Sequence, residues 1–212
     1  MYRPPHFKED RLPVLHQAMA AIGLANVVTV GADGTPHASP LPLLLRADEG
    51  PYGTLYGHFA KANPQWRDTP TGSPALAIFM GPDAYISPSW YATKAETEKV
   101  VPTWNYATIH ARGPITFFED ADALLDLVTR LTRGHEDGRA VPWAVDDAPV
   151  DFIQAQLRGI VGFRLALTSL EGKWKMSQNR PAADRDGVVE GLAQDGATDV
   201  AALVRSGGAQ GR

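Results

Sequence analysis

The sequence of 212 residues contains no cysteine. Disulfides, thiolate metal centres, iron–sulfur clusters and cysteine nucleophiles are excluded together, so redox chemistry needs a borrowed cofactor. Long hydrophobic runs are missing too. No stretch approaches the ~18 apolar residues of a spanning helix, and Met1-Tyr-Arg-Pro-Pro-His-Phe-Lys8 has no apolar core of the signal-peptide kind. A cytoplasmic protein without a membrane partner is expected. Positive charge is not in excess: the net charge is −4, which argues against a broad basic face for nucleic acid, whose phosphates must be neutralised by Lys and Arg. DNA contact would be local or made through a partner.

What is present suits an ordinary globular chain, with 44% hydrophobic and 21% charged residues, enough to bury roughly 70% of its unfolded surface. Asp10 can cap a helix carried by Leu12, Leu15, Met19 and Ile22 and ended by Gly23. Strands are predicted at Leu24 to Val30, His37 to Leu45, Thr54 to His58, Ala75 to Met80, Ala84 to Ser87, Trp104 to Arg112 and Gly159 to Leu167, with a hairpin turn at Gly31 to Thr35. Prolines 36, 40 and 42 cannot donate ladder hydrogen bonds, so one edge of their strand faces something other than a strand. Helices are predicted over Glu119 to Arg133, Asp151 to Leu157, Asp184 to Gln194 and Asp199 to Arg205, before a flexible end from Ser206 to Arg212. The connections are too short for crossover helices, which predicts an antiparallel sheet closed into a barrel: mainly β with peripheral helices, α+β overall. Residues 1–170 read as one domain and 171–212 as a C-terminal extension.

Autonomous catalytic signatures are absent: there is no Gly-x-Ser-x-Gly elbow, P-loop or Gly-x-Gly-x-x-Gly opening a helix, and no His pair at helical zinc spacing. Glu119, Asp120 and Asp122 sit at a helix start, where the helix dipole accounts for them. Trp90, Tyr91, Trp104 and Tyr106 lie close together in sequence. They suit either a lined pocket with polar anchors or a well-packed core. Gly57-His-Phe-Ala-Lys-Ala-Asn-Pro-Gln-Trp66 places His58 and Lys61 around the start of a helical turn, a combination of imidazole, cation and free amides that suits a terminal phosphate. Lys61 on a solvated turn is the plainer alternative. Together these features suggest a small planar phosphorylated ligand.

Five segments, Met1-Tyr-x-Pro-x-His-Phe7, Gly57-His-x-Ala-Lys-x-Asn-Pro64, Tyr85-Ile-Ser-Pro-Ser-Trp-Tyr91, Val101-Pro-Thr-Trp-Asn-Tyr106 and Lys175-Met-Ser-Gln-Asn-Arg180, occur in the order found in the PaiB family. The chain resembles that family over nearly its whole length. The resemblance implies an FMN-binding split β-barrel, a homodimer with flavin at the subunit interface, and a role as negative transcriptional regulator. It implies that the stretch Leu55 to Lys61, with His58 and Lys61, holds the flavin phosphate. Ser39, Pro40 and Leu41 would be backbone neighbours of the ring, and Trp104 and Asn105 a wall and a polar anchor. Lys175, Ser177 and Gln178 belong to a C-terminal signature, Lys173 to Arg180, that would either reach across the dimer or form a strand end followed by an exposed turn. The repeated arginines with which pyridoxamine phosphate oxidases clamp phosphates are not found near this turn.

Three readings follow. The first is an FMN-binding regulator. The second is a flavin-dependent reductase or pyridoxamine phosphate oxidase-like enzyme, with no general acid or base evident. The third is a haem-binding split barrel with His6, His37, His58 or His110 as axial ligand. No helix-turn-helix signature supports direct DNA binding.

Overall fold

The computed structural model describes residues 1–208. In chain order its strands and helices are β1 (Lys8–Glu9), α1 (Leu12–Ile22), β2 (Leu24–Val30), β3 (Pro36–Pro42), β4 (Leu44–Arg46), β5 (Thr54–Ala60), α2 (Gln65–Asp68), β6 (Pro74–Ile86), α3 (Lys94–Thr97), β7 (Thr103–Phe118), α4 (Ala121–Glu136), α5 (Val150–Leu157), β8 (Ile160–Ala166), β9 (Ser169–Lys175), α6 (Ala182–Gln194) and α7 (Thr198–Arg205). The strands order as β3-β2-β6-β7-β8-β5-β4, and β9 pairs β1 and β7. Pairing is antiparallel wherever the register is defined. No helix among the described residues is long and apolar enough to cross a membrane.

The chain forms two compact units. One comprises residues 1–18, 80–109 and 171 onward; the other comprises 19–79 and 110–170. The expected 171–212 extension thus groups with the N-terminus and the middle of the chain. Residues 209–212 of the expected flexible end lie outside the described residues.

In the unit of residues 19–79 and 110–170, alternation along the strands builds the core. Leu55, Gly57 and Phe59 of β5 oppose Leu165, Phe163 and Val161 of β8, and all six are buried. The Phe59 and Phe163 rings lie 5.1 Å apart, and each such ring contributes about 1.5–3 kcal/mol on leaving water. Gly57 is required here, because a Cβ would fall 2.7 Å from both Leu43 and Phe163. On the opposite face of the same strands Leu44, Tyr56, Arg164 and Thr116 form a cross-strand row, beside which α4 packs with Leu124 and Leu127 buried. Asp120 caps α4, accepting from the Ala123 N–H at 2.9 Å.

Several expected boundaries shift for identifiable reasons. The strand expected over His37 to Leu45 divides at Leu43, and β4 pairs with β5 instead of continuing beside β2. The strands expected at Ala75 to Met80 and Ala84 to Ser87 are one, β6, because the fixed φ of Pro82 removes a donor without reversing the chain. β7 likewise runs on past Arg112 through Gly113 and Pro114; a Cβ at Gly113 would lie 1.9 Å from the Ala166 carbonyl oxygen.

In the unit of residues 1–18, 80–109 and 171 onward, β9 bears out the reading of Lys173 to Lys175 as a strand end and begins earlier, at Ser169. Its residues Lys173 and Gly172 pair with Lys8 and Glu9. Helix α6 lies against Trp90, with a Cβ at Gly191 placed 2.3 Å from the indole and one at Gly187 placed 2.0 Å from the Trp90 carbonyl oxygen.

Candidate functional site

The turn after β5 is tied down by its own backbone. The Lys61 N–H donates to the Gly159 carbonyl at 2.7 Å. The Lys61 carbonyl accepts from Trp66 Nε1 at 3.1 Å and Arg67 Nη2 at 2.9 Å. The Lys61 ammonium pairs with Glu119 at a cleft of about 290 Å³ that Arg158 also lines. His58, three residues earlier, pairs with Gly162 on the face shared with Tyr56. Its Nδ1 is buried and has no hydrogen-bond partner, and burial pushes its pKa down, so the ring is neutral.

Ser39 belongs to the same neighbourhood through a polar hub. Its Oγ donates to Gln65 Oε1 at 2.6 Å and accepts from Asn63 Nδ2 at 3.0 Å. Gln65 is buried, and its Nε2 donates to the Val27 carbonyl at 2.9 Å and Thr29 Oγ1 at 3.1 Å. β3 stands at the end of the strand order with β2 as its neighbour. Pro36, Pro40 and Pro42 share one parity along β3 and therefore one edge. The edge that can spare their missing donors is the one without a strand. Ala38 and the Pro40 carbonyl accordingly face outward, while the backbones of Ser39 and Leu41 face β2.

The remaining sequence-expected residues lie in the other unit. Trp104 and Asn105 are consecutive on β7 and point to opposite faces, so they do not form wall and anchor of one surface. Trp104 is 49% exposed, with Nε1 donating to Asp83 at 2.7 Å and its ring edge-on to Tyr85. Asn105 is fully buried, and its Nδ2 donates to Ser177 Oγ at 3.0 Å. Lys175 Nζ donates to Thr103 Oγ1 at 2.6 Å and to the Trp104 carbonyl. Gln178 is spent on its own turn: Oε1 accepts from the Met176 N–H at 2.7 Å, and Nε2 donates to the Trp174 carbonyl at 2.6 Å.

The four clustered aromatics take separate roles. Trp90 packs on α6, Trp104 faces outward, and Tyr106 stacks with the Lys173 ammonium at 5.1 Å. Only Tyr91 joins Asn105, Lys175 and Ser177 in a cleft, with Arg180 opposite. Sequence reasoning left Tyr91, Arg180, Gln65 and Arg158 out of the site. Tyr91 and Arg180 stood within the segments already singled out, but nothing in their spacing shows that they meet.

Residues 1–169 match the model of a family described as putative FMN-binding domain. The chain is 34% identical over 195 residues to the Bacillus subtilis protein named protease synthase and sporulation protein PAI 2, covering 92% of this chain and 90% of that one. Among solved structures, the flavocytochrome Anf3 from Azotobacter vinelandii aligns with a TM-score of 0.58 at 13% identity, covering 82% of this chain and 72% of that one. An FAD and heme binding protein from Mycobacterium smegmatis aligns at 0.56 and 20%, covering 78% and 71%. These two likenesses show the fold, an antiparallel split β-barrel with peripheral helices. The PaiB resemblance carried by the five sequence segments holds across the chain, which belongs to the putative FMN-binding domain family and takes FMN as its cofactor.

Proposed function

We propose that this chain is a flavin-loaded regulator of the PaiB type, holding FMN against the open edge of β3 and the turn that follows β5. The observation that carries this placement is the buried His58 Nδ1, left without a partner three residues before a lysine. A buried nitrogen without a bond costs free energy that a ligand donor or acceptor offsets. The residues fit FMN in kind. Ala38 and Pro40 offer a backbone N–H and carbonyls to the ring edge, the neutral His58 imidazole offers a nitrogen, and Lys61 offers charge to the phosphate. Glu119 tempers that charge, and Arg158 in the same cleft supplements it. Bound FMN supplies one- and two-electron chemistry; the chain's residues bind and orient it. The regulatory role is supported by the likeness to the Bacillus subtilis protein, whose name refers to protease synthesis and sporulation. With a net charge of −4, regulation through a protein partner or a second copy is favoured over a broad DNA contact.

The test is a titration of ligand-free protein with FMN and riboflavin. Lys61→Ala weakens FMN binding about tenfold and leaves riboflavin binding unchanged, because a charge-assisted phosphate contact is lost and no ring contact is. Equal losses for the two ligands refute the placement. A homodimer belongs to the same reading, because the exposed Tyr85 and Trp104 rings form an apolar surface suited to a second copy; sedimentation of a monomer at micromolar concentration would remove it. A haem-binding reading is favoured by the same His58, neutral and unpartnered, together with the haem named for the Mycobacterium smegmatis structure. Haemin binding abolished by His58→Gln would establish it.

A further inference from the structure

Within the unit of residues 1–18, 80–109 and 171 onward, three cations gather with the Asp184 carboxylate as the negative charge near Tyr91. Lys173 is buried between the rings of Tyr2 and Tyr106, 5.7 and 5.1 Å away. Lys175 follows two residues later on β9. The Arg180 guanidinium lies 4.2 Å from the centroid of the Tyr91 ring. None of the three forms an ion pair among the described residues. The nearby carboxylate of Asp184 is occupied, accepting from the Thr93 N–H and Oγ1 at 2.9 Å each. Burial, and then the charges of Lys173 and Arg180, push the pKa of Lys175 down, as a cation lacking a counter-ion requires.

A second observation is independent of charge. Tyr91 is 3% exposed, yet its hydroxyl makes no well-formed hydrogen bond, although the Arg180 guanidinium is close enough to act on it. Buried hydroxyls are seldom left unbonded, and each one asks for an explanation. Tyr91 lines a cleft of about 120 Å³ with Thr103, Asn105, Lys175, Ser177 and Arg180. That volume admits a phosphate-sized group and is below the roughly 300 Å³ at which pockets begin to enclose larger organic ligands. The wall of the cleft is built at some cost. Ser177 sits at φ +61°, a left-handed conformation that a non-glycine residue rarely adopts. The buried bond to Asn105 and the turn bond from the Arg180 N–H to the Ser177 carbonyl, 3.0 Å each, hold it there.

We propose that Tyr91, Lys175 and Arg180 form a binding site for a tetrahedral oxyanion of the phosphate class. The phenol donates to an anion oxygen, the guanidinium offers paired N–H groups, and the ammonium supplies point charge. Free phosphate and the terminal phosphate of FMN share this chemistry. The site stands independently of the flavin placement at Lys61, because it is read with inorganic phosphate alone.

The test is calorimetric titration of phosphate-free full-length protein at constant ionic strength with inorganic phosphate, FMN and riboflavin, for the wild type, Arg180→Gln and Tyr91→Phe. Saturable phosphate binding is expected in the wild type. It should weaken about tenfold or more in Arg180→Gln and several-fold in Tyr91→Phe. Tyr91→Phe removes only an unbonded hydroxyl, so its melting temperature should not fall, and it reports on the site even if Arg180→Gln folds poorly. If Arg180→Gln weakens phosphate and leaves FMN unchanged, the occupant is free phosphate. If it also weakens FMN but not riboflavin, the site takes the flavin's own phosphate. Either result supports the oxyanion site. Absence of wild-type binding to both phosphate and FMN, or phosphate binding unchanged in both variants, overturns it. Failure of Lys61→Ala to separate FMN from riboflavin would refute the flavin placement and leave this proposal standing.

Discussion

Asn105 Nδ2 donates to Ser177 Oγ at 3.0 Å, joining the middle of β7 to the turn that follows β9, and both side chains are buried. Residues far apart in sequence are thereby fixed where Lys175 and Arg180 flank one cleft. The same bond holds Ser177 in a left-handed backbone conformation. The polar pair therefore sets the shape of a loop as well as satisfying two groups.

Ser177→Ala leaves the Asn105 amide with a buried, unmet donor while retaining the unfavourable φ. A loss of about 1–3 kcal/mol is expected in urea unfolding. Ser177→Gly relieves the backbone strain and should lose less. A Gly variant less stable than the Ala variant would show that the left-handed backbone at Ser177 is not strained.

Gly187 and Gly191 face Trp90 from successive turns of α6, but their neighbours differ. A methyl group at Gly191 meets the indole, which can slide; at Gly187 it meets a backbone carbonyl oxygen. Helix propensity favours alanine by about 1 kcal/mol at each position. Gly187→Ala should nevertheless destabilise by more than about 3 kcal/mol, and Gly191→Ala by about 1–3 kcal/mol. Thermal unfolding that ranks them in reverse would refute this account of how α6 seats.

His58 makes stability depend on pH in one direction. Burial holds its folded-state pKa below the ordinary value of 6.5, so above that pH both states are neutral and the residue has no effect. As pH falls through 6.5 the unfolded chain binds the proton first, and stability is lost until the folded-state pKa is reached. His58→Gln, which does not titrate, should show a flatter profile as pH falls through the ordinary histidine value of 6.5. Parallel profiles for wild type and variant would indicate that the ring is not held neutral.

Strand periodicity and turn residues made most of the sheet legible in the sequence, because alternation and Gly-rich turns are local signals. Pro82, Gly113 and Pro114 read as breaks, yet extended backbone tolerates them, so β6 and β7 run longer than expected. β9 was legible only as a strand end, because Lys173 and Lys175 flank Trp174 and resemble a solvated stretch; pairing with β1 and the rings around Lys173 make the full strand. At the candidate site, His58, Lys61 and the Ser39 neighbourhood could be named from one local motif and the family resemblance. Tyr91 facing Arg180, and Gln65 bonding β2 and β3 together, are long-range meetings that no spacing rule encodes. Trp104 beside Asn105 shows the opposite limit. They were read as a wall and a polar anchor, and the two-residue period of a strand turns them to opposite faces.

The prolines of β3 bear on how this protein meets another copy of itself. An outer edge of Pro36, Ala38, Pro40 and Pro42 has one N–H to offer across four positions. An incoming strand would find acceptors and almost no donors, so the edge cannot template sheet growth from molecule to molecule. Contact between copies through β3 is therefore left to side chains, and a crowded solution of the native protein is guarded at this edge against edge-to-edge aggregation.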